Sequence, residues 1–392
     1  MARFTQIVLV GEKSFLEYNK TKTMNRVFEL LPLGYRFVDI SSGTKHGTLK
    51  KLIYILAYFK LFLSLGKSER GQILWLSEFK FTLPHIVCAK LISKLRGMVL
   101  IGGPHGLRAD SMLLTNPSYQ RSTFSTSQRL KLYLLDICDG LLVRAFNVLQ
   151  SYTVPYAERA KRLASRPDKL TIIFPIGTTV DRPALAWEPS FKQSEELRLV
   201  FWGLANALHG LDVIPPAIDH LRAIGINVKV YIFSPANHFV SRMYLDVKRR
   251  NLESQFILDT DTLIRKDYSK VLFADLAISH LISTGIHASA KSLVNALATP
   301  NKLFEILGIG MPAIAARTDA TIRAFGPDSC IYVEPCSSSS LAQVLESIYQ
   351  EMVDIRAIAK RGHRIVHTQY SPQSLADQVA RQLNSLPESI NS

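Results

Sequence analysis

The sequence predicts an α/β protein made of two Rossmann-like domains in tandem, each a doubly wound parallel sheet. Three observations carry this. A chain of 392 residues has room for two domains at about 150 residues each. Strand-like runs alternate with helical stretches throughout, and the runs are continuously apolar, as strands buried on both faces are. The alternation stops once, at 178–196, where a polar stretch carries Pro183 and Pro189, and then restarts. The expected domains are 1–187 and 196–370, with a last amphipathic helix at 371–386 crossing back to the first.

The elements follow in order. QIVLVGE (6–12) reads as a strand, 22–32 as a helix and YRFVDIS (35–41) as a strand. A long helix near 47–66 comes next, then QILWLSE (72–78), a helix near 83–95 and MVLIGG (98–103). A helix near 126–137 precedes GLLVRA (140–145), read as a strand. A helix near 155–166 and LTIIFPIG (170–177) complete the first half. The second half opens with LRLVFWG (197–203) and a helix near 210–224. VKVYIFS (228–234), a helix near 238–250, SQFILD (254–259), a helix near 263–273 and LAISHL (276–281) follow. After a long loop come the helix NKLFEILG (301–308), the strands PAIAAR (312–317) and CIYVEP (330–335), and helices near 339–351 and 354–365.

Composition excludes several classes. With 47% hydrophobic and 20% charged residues the chain is globular, not disordered or fibrous. No apolar run reaches the roughly 18 residues of a spanning helix, and the N-terminus has no signal-peptide layout, so a cytoplasmic protein is expected. Cys88, Cys138, Cys330 and Cys336 form no C-x-x-C pair, which argues against a zinc site or a disulfide framework. The net charge of +15 is lopsided: residues 1–195 hold 28 Lys+Arg and 14 Asp+Glu, against 19 and 18 in 196–392. Such a basic half suits a polyanionic partner: nucleic acid, anionic lipid or a phosphorylated substrate. No nucleic-acid-binding module or basic–aromatic motif supports the first.

The strongest motif is TPNKLFEILGIGMPAIAA (299–316). Thr299 is placed to cap a helix with Pro300 at its first position. The N–H groups and dipole of that helix end make an anion site suited to a diphosphate. Lys302 adds a point charge there, and Glu305, one turn on, can accept two hydrogen bonds from a vicinal diol such as a ribose.

The pattern N-K-L-F-E-x-L-x-x-G-x-P-x-I-A closely resembles the nucleotide-sugar motif of GT-B glycosyltransferases, in particular glycosyltransferase family 4. LRLVFWGLANALHGLDVIPPAIDHL (197–221), DYSKVLFADLAIS (267–279) and TIIFPIGTTVD (171–181) resemble other stretches of that family, so the likeness covers most of 171–316. It implies a GT-B fold, two Rossmann-like domains facing a cleft. It places Asn301, Lys302, Leu303 and Glu305 at the donor nucleotide, with Lys302 on the diphosphate and Glu305 on the ribose. Gly203, His209 and His280 join the donor set, as does Gly11 after the first strand. The chain departs from the family at three points: Leu297 stands where a first Glu is usual, Leu204 where an Arg is, and His209 where a Lys is.

In the first half, GGPHGLRAD (102–110) follows a strand. By resemblance His105 contacts the sugar or the reacting centre, where imidazole can take a proton or donate a hydrogen bond; a structural histidine is the equal alternative. Asp110 is the second candidate. The helix near 47–66 carries Lys50, Lys51, Lys60 and Lys67 on an apolar body and reads as an interfacial segment, or else as a buried helix of the sandwich. Arg159, Arg162 and Arg166 on a later helix extend the basic surface. D-T-D at 259–261 is read as helix capping by Asp261, not as a metal site.

The resemblance thus implies a hexosyltransferase-type enzyme that works without metal or cofactor and retains configuration. It would move a sugar from a nucleotide-diphospho-sugar to a glycan or lipid-linked acceptor at the inner membrane face, in polysaccharide or glycoconjugate biosynthesis. The alternatives are a degenerate, non-catalytic GT-B partner of a membrane complex, and a GT-B nucleotide-sugar epimerase.

Overall fold

A computed structural model describes residues 4, 6–11, 23–39, 56, 58–63, 65, 72–76, 83–103, 107, 110, 112, 124–175, 177, 187, 196–262, 264, 267–284, 300–387 and 390. The chain divides into two compact units, residues 1–109, 126–179 and 370–392 in one, and 110–125 and 180–369 in the other.

The first unit holds β1 (Gln6–Gly11), α1 (Thr23–Leu30), β2 (Gly34–Asp39), β3 (Ile73–Leu76), α2 (Leu83–Arg96), β4 (Val99–Gly102), α3 (Thr126–Ala145), β5 (Val148–Ser151), α4 (Val154–Leu163) and β6 (Thr171–Ile173). These strands form one parallel sheet in the order β2-β1-β3-β4-β5-β6. The second unit holds β7 (Leu197–Trp202), α5 (Ile214–Ala223), β8 (Val228–Phe233), α6 (His238–Arg249), β9 (Phe256–Asp259) and β10 (Leu276–His280). It continues with α7 (Asn301–Gly308), β11 (Ala313–Ala316), α8 (Asp319–Phe325), β12 (Ile331–Val333), α9 (Ser338–Tyr349) and α10 (Ile355–Gln369). Its parallel sheet runs β12-β11-β10-β7-β8-β9. The last helix, α11 (Pro372–Asn384), belongs to the first unit.

Continuous apolar strands do here what two buried faces require. Along β1, Ile7 and Leu9 enter a core with α1 and with Leu375, Val379 and Leu383 of α11. Val8 and Val10 enter the opposite core, with Tyr58, Leu61, Ile86, Ile92 and Leu142. Gln382 of α11 also exchanges hydrogen bonds with the Ile173 backbone, accepting from N (2.8 Å) and donating to O (2.9 Å).

Several sequence expectations are corrected. GLLVRA is not a strand: it ends the 20-residue helix α3, and the strand is VLQS, 148–151. Asp139-Gly140 looks like a break, but Gly140 lets the helix approach α4, where an added Cβ would meet Leu163 O at 2.4 Å. The helix near 263–273 is one 3₁₀ turn among the described residues, Tyr268–Val271. The capping carboxylate of D-T-D is Asp259, which accepts from Asp261 N (2.9 Å) and Thr262 N (2.8 Å). Helix α8, opened by a Thr318–Thr321 capping box, had no sequence expectation.

The basic row also changes. α4 stops at Leu163, so Arg166 lies beyond it, bonded twice to Asp168 (2.9 and 2.8 Å). That guanidinium holds the Asp168 carboxyl down at about 2. Arg159 stands 3.9 Å from Asp136, and Arg162 is exposed. Lys60 is exposed and helical, whereas Lys50, Lys51, Lys67 and His105 lie outside the described residues.

Candidate functional site

In an open parallel sheet ligands bind beyond the carboxyl ends of the strands, where the strand order reverses. In the second sheet that point lies between β7 and β10, and the sequence candidates converge on it.

β7 ends in Phe201 and Trp202, and Gly203 follows with φ +94°. A Cβ on Gly203 would stand 2.8 Å from Lys302 Nζ, so the glycine makes room for the ammonium. Lys302 sits in the first turn of α7, buried, with Nζ 4.4 Å from the Phe201 ring centroid and 5.3 Å from that of Trp202. These ring faces attract the cation. Burial nevertheless pushes the Lys302 pKa down to about 8, against a smaller opposing pull from Glu305. No described carboxylate forms an ion pair with Lys302, so a phosphate brought beside it meets an unneutralised cation.

Two histidines complete the cluster. In the loop after Gly203, the Asn206 N–H donates to His209 Nδ1 (3.2 Å), which leaves the ring proton on Nε2. The ring stacks edge-on to Phe201, centroids 5.1 Å apart. Burial first, then the charge of Lys302, then His280, drives the His209 pKa well below its usual value. His280 ends β10, fully buried, with Nδ1 3.2 Å from Ser279 Oγ and its pKa pushed down to about 3 by burial. Both imidazoles are neutral donors at physiological pH. His280 Nε2 and Trp202 Nε1 are buried with no hydrogen-bond partner among the described residues. Each orphaned polar atom costs roughly 1–3 kcal/mol, which a bound polar ligand can recover.

The loops here are braced by residues the sequence reading missed. Ala207, Leu208 and His209 carbonyls accept from Ser283, Ile282 and Leu281 N–H (2.8, 3.0 and 3.2 Å). Asp212 Oδ2 accepts from the Ser283 and Thr284 hydroxyls and from Thr284 N. Ile282 is held at φ +66°, a sterically costly conformation for a β-branched residue and one that clusters at ligand sites. Gly210, at φ +58°, is required because a Cβ would meet the Ile282 backbone at 2.6 Å. No periodicity signals Ile282; Asp212 two residues after a glycine was a usable hint of a brace.

α7 begins at Asn301, with Pro300 at the N-cap position and no side-chain cap. This corrects the placement of Pro300 as the first helical residue; Thr299 lies outside the described residues. Asn301 is exposed and Glu305 half-buried, whereas Leu303 is core and its N–H is bonded to Pro300 O (3.0 Å). The other end of α7 is tied down: Leu307 O and Gly308 O lie 3.2 Å from His363 Nδ1 and 3.0 Å from His367 Nε2.

Two first-half candidates for the reaction, Gly11 and Asp110, lie among the described residues. Gly11 closes β1, beside the strand reversal of the first sheet. Asp110 is buried and carries an interaction of its own. Among the described residues no group of three His, Cys, Asp or Glu side chains is arranged to hold a metal ion.

No protein-family model matches the chain, and no curated protein matches it significantly. Solved structures do match. HepE of Anabaena in complex with UDP-glucose aligns with a TM-score of 0.61 at 12% identity, over 97% of this chain and 100% of that one. Sucrose-phosphate synthase from Thermosynechococcus elongatus gives 0.62 at 12%, over 96% and 98%. A glycosyltransferase from Rickettsia africae gives 0.64 at 11%, over 98% and 100%. The chain therefore has the GT-B fold, two Rossmann-like units each built on a six-stranded parallel sheet.

Proposed function

We propose that the chain is a glycosyltransferase of the family 4 type that takes its sugar from a nucleotide-diphospho-sugar. The observation that carries the reading is the buried Lys302 ammonium, without an ion pair among the described residues, beside Gly203, His209 and His280 at the strand reversal of the second sheet. That HepE, of the same fold, was solved with UDP-glucose supports a uridine donor.

In the reaction the bond from the anomeric carbon to the β-phosphate oxygen breaks, and negative charge grows on the departing diphosphate. Lys302, the first N–H groups of α7 and the neutral imidazoles of His209 and His280 would stabilise that charge, without a metal or cofactor. Glu305 binds the ribose diol. The acceptor hydroxyl oxygen bonds to the anomeric carbon with retention and gives up its proton, His105 being the first candidate to receive it and Asp110 the second. The acceptor is a glycan or lipid-linked glycan at the inner face of an anionic membrane, in polysaccharide or glycoconjugate synthesis.

A thermal-shift panel with UDP, GDP, ADP and CMP, with and without magnesium, tests the donor site. A ligand at about 100 times its Kd adds about 2.7 kcal/mol to stability. The expected result is a rise in Tm with UDP that EDTA leaves unchanged and Glu305→Ala abolishes. One feature favours a non-catalytic GT-B partner instead: Leu204 stands 64% exposed where the family usually has a phosphate-binding Arg. Absence of any shift on folded protein would establish that second reading.

A further inference from the structure

The helical layer over one face of the first sheet is apolar on both sides. Its inner side is ordinary core: Tyr58, Leu61, Ile86, Ala89, Ile92 and Leu142 pack on Val8, Val10, Leu74 and Leu100. Its outer side carries three further apolar rows. Leu56, Phe59 and Leu63 are 56–65% exposed, and Val87, Leu91 and Leu95 of α2 are 57–61% exposed. On α3, Leu130, Tyr133, Leu134, Ile137 and Leu141 are 43–63% exposed. Spacings of three and four residues put each row on one helix face. The helices are neighbours: α2 packs beside α3, and Arg96 of α2 bonds Phe62 O (2.8 Å) and stacks on the Phe62 ring at 4.3 Å.

These side chains together expose on the order of 1,000 Å² of apolar surface, against the roughly 300–600 Å² of a typical monomer's largest patch. Among the described residues of these three helices, the exposed charges are of one sign. Lys60, Lys94, Arg129 and Lys131 are exposed beside them, four residues after Leu56, three after Leu91 and one to either side of Leu130. Helix α2 and the described residues of 56–63 contain no acidic residue. Of the two on α3, Asp139 is buried and Asp136 lies by Arg159.

We propose that this three-helix face, not the Arg159–Arg166 region, is a docking surface for an anionic lipid bilayer. The apolar rows enter the acyl boundary while the flanking cations stay at the headgroups. Charge decides between a bilayer and a second copy of the chain: a self-complementary interface would set these cations against one another, whereas anionic headgroups neutralise them. The surface deepens the membrane part of the proposed function, and it is tested separately from the donor site.

The test is flotation of the full chain with phosphatidylcholine vesicles, with and without 30% phosphatidylglycerol, at low and high salt. Two double variants accompany it, Leu91→Ser with Leu134→Ser, and Lys94→Gln with Lys131→Gln. All four positions are exposed, so the fold is expected to persist, and circular dichroism checks this. Wild type is expected to float with the anionic vesicles and to be released by salt. The lysine pair is expected to lower partitioning about 25-fold, at roughly fivefold per charge near an anionic surface. The leucine pair is expected to stay in solution. Failure of wild type to float, or flotation unaffected by either variant, overturns the proposal. So does a concentration-dependent dimer that the leucine pair disperses while wild type ignores vesicles, since the face then joins two copies. UDP thermal shifts on the same proteins separate the readings: an intact shift with lost flotation concerns this surface, and lost shift with intact flotation concerns the donor site.

Discussion

Lys302 is a cation whose surroundings make its charge costly until a counter-charge arrives. With its pKa near 8 it is mostly protonated at neutral pH, and a bound diphosphate favours the protonated form further. Affinity for UDP is therefore expected to hold up to about pH 8 and then fall, by up to tenfold per pH unit, until the pKa of the bound state is reached. Lys302→Met is expected to weaken binding by about 2–3 kcal/mol, roughly 30- to 150-fold, and to remove the break. Calorimetric titration between pH 7 and 9.5 measures both.

His280 gives the opposite signature. Its native pKa near 3 lies below the ordinary 6.5 because burial disfavours the charged ring. Between these values the unfolded chain binds a proton that the native state does not, so stability falls as pH drops below 6.5. The loss is about 1.4 kcal/mol per unit, or about 2 kcal/mol at pH 5. His280→Gln keeps a donor and cannot titrate. Denaturant unfolding at pH 7 and pH 5 is expected to show a smaller acid loss in this variant than in wild type. An equal loss would place the acid sensitivity elsewhere, with His209 the next residue to replace.

At the scale of elements, α7 is the part whose position matters most, and α10 holds it. Gly362 of α10 lies where an added Cβ would be 2.6 Å from Leu307 Cδ2 and 2.7 Å from Ser329 O. Gly362→Ala would gain about 1 kcal/mol of helix propensity. The clash costs about 1–3 kcal/mol, because a backbone oxygen cannot swing aside as a side-chain tip can. The expected result is net destabilisation with weaker UDP binding, read from denaturant curves and thermal shifts on one preparation.

The same scale shows why some elements were legible in the sequence and others not. NKLFEILG was placed as Asn301–Gly308, with its cap one residue off, because Pro300 and the Gly308–Gly310 pair punctuate both ends. GLLVRA was misread because a continuous apolar run is compatible with a buried strand or a helix end, and only contact with α4 decides. Arg166 was put on a helix that ends at Leu163, since nothing in the local periodicity marks that stop.

At the scale of the whole molecule, the first unit depends on the far end of the chain. Leu375, Ala376, Val379 and Leu383 of α11 are fully buried in its core. Three large aliphatic side chains at about 1.5–3 kcal/mol each approach the 5–15 kcal/mol that stabilises a typical domain. A chain ending at Gln369 is expected to lose protection in β1, α1 and β6 while keeping hydrogen-exchange protection, and the UDP response, in 196–369. Exchange followed by mass spectrometry reads both units at once; uniform loss would show that the second unit cannot stand without the first.

The sequence by itself determined the two-sheet α/β architecture, the helix 301–308 between its proline and its glycines, and the basic excess of the first half. Those are properties of local pattern and composition, and they survive any arrangement of neighbours. Tertiary structure alone decided that Lys302, separated from Gly203 by about a hundred residues, fills the space a Cβ would occupy. It also decided that His209 and His280 are neutral, and that three helices present leucines outward. Burial, proton affinity and exposure depend on which surfaces the fold brings together, and sequence spacing carries no record of that.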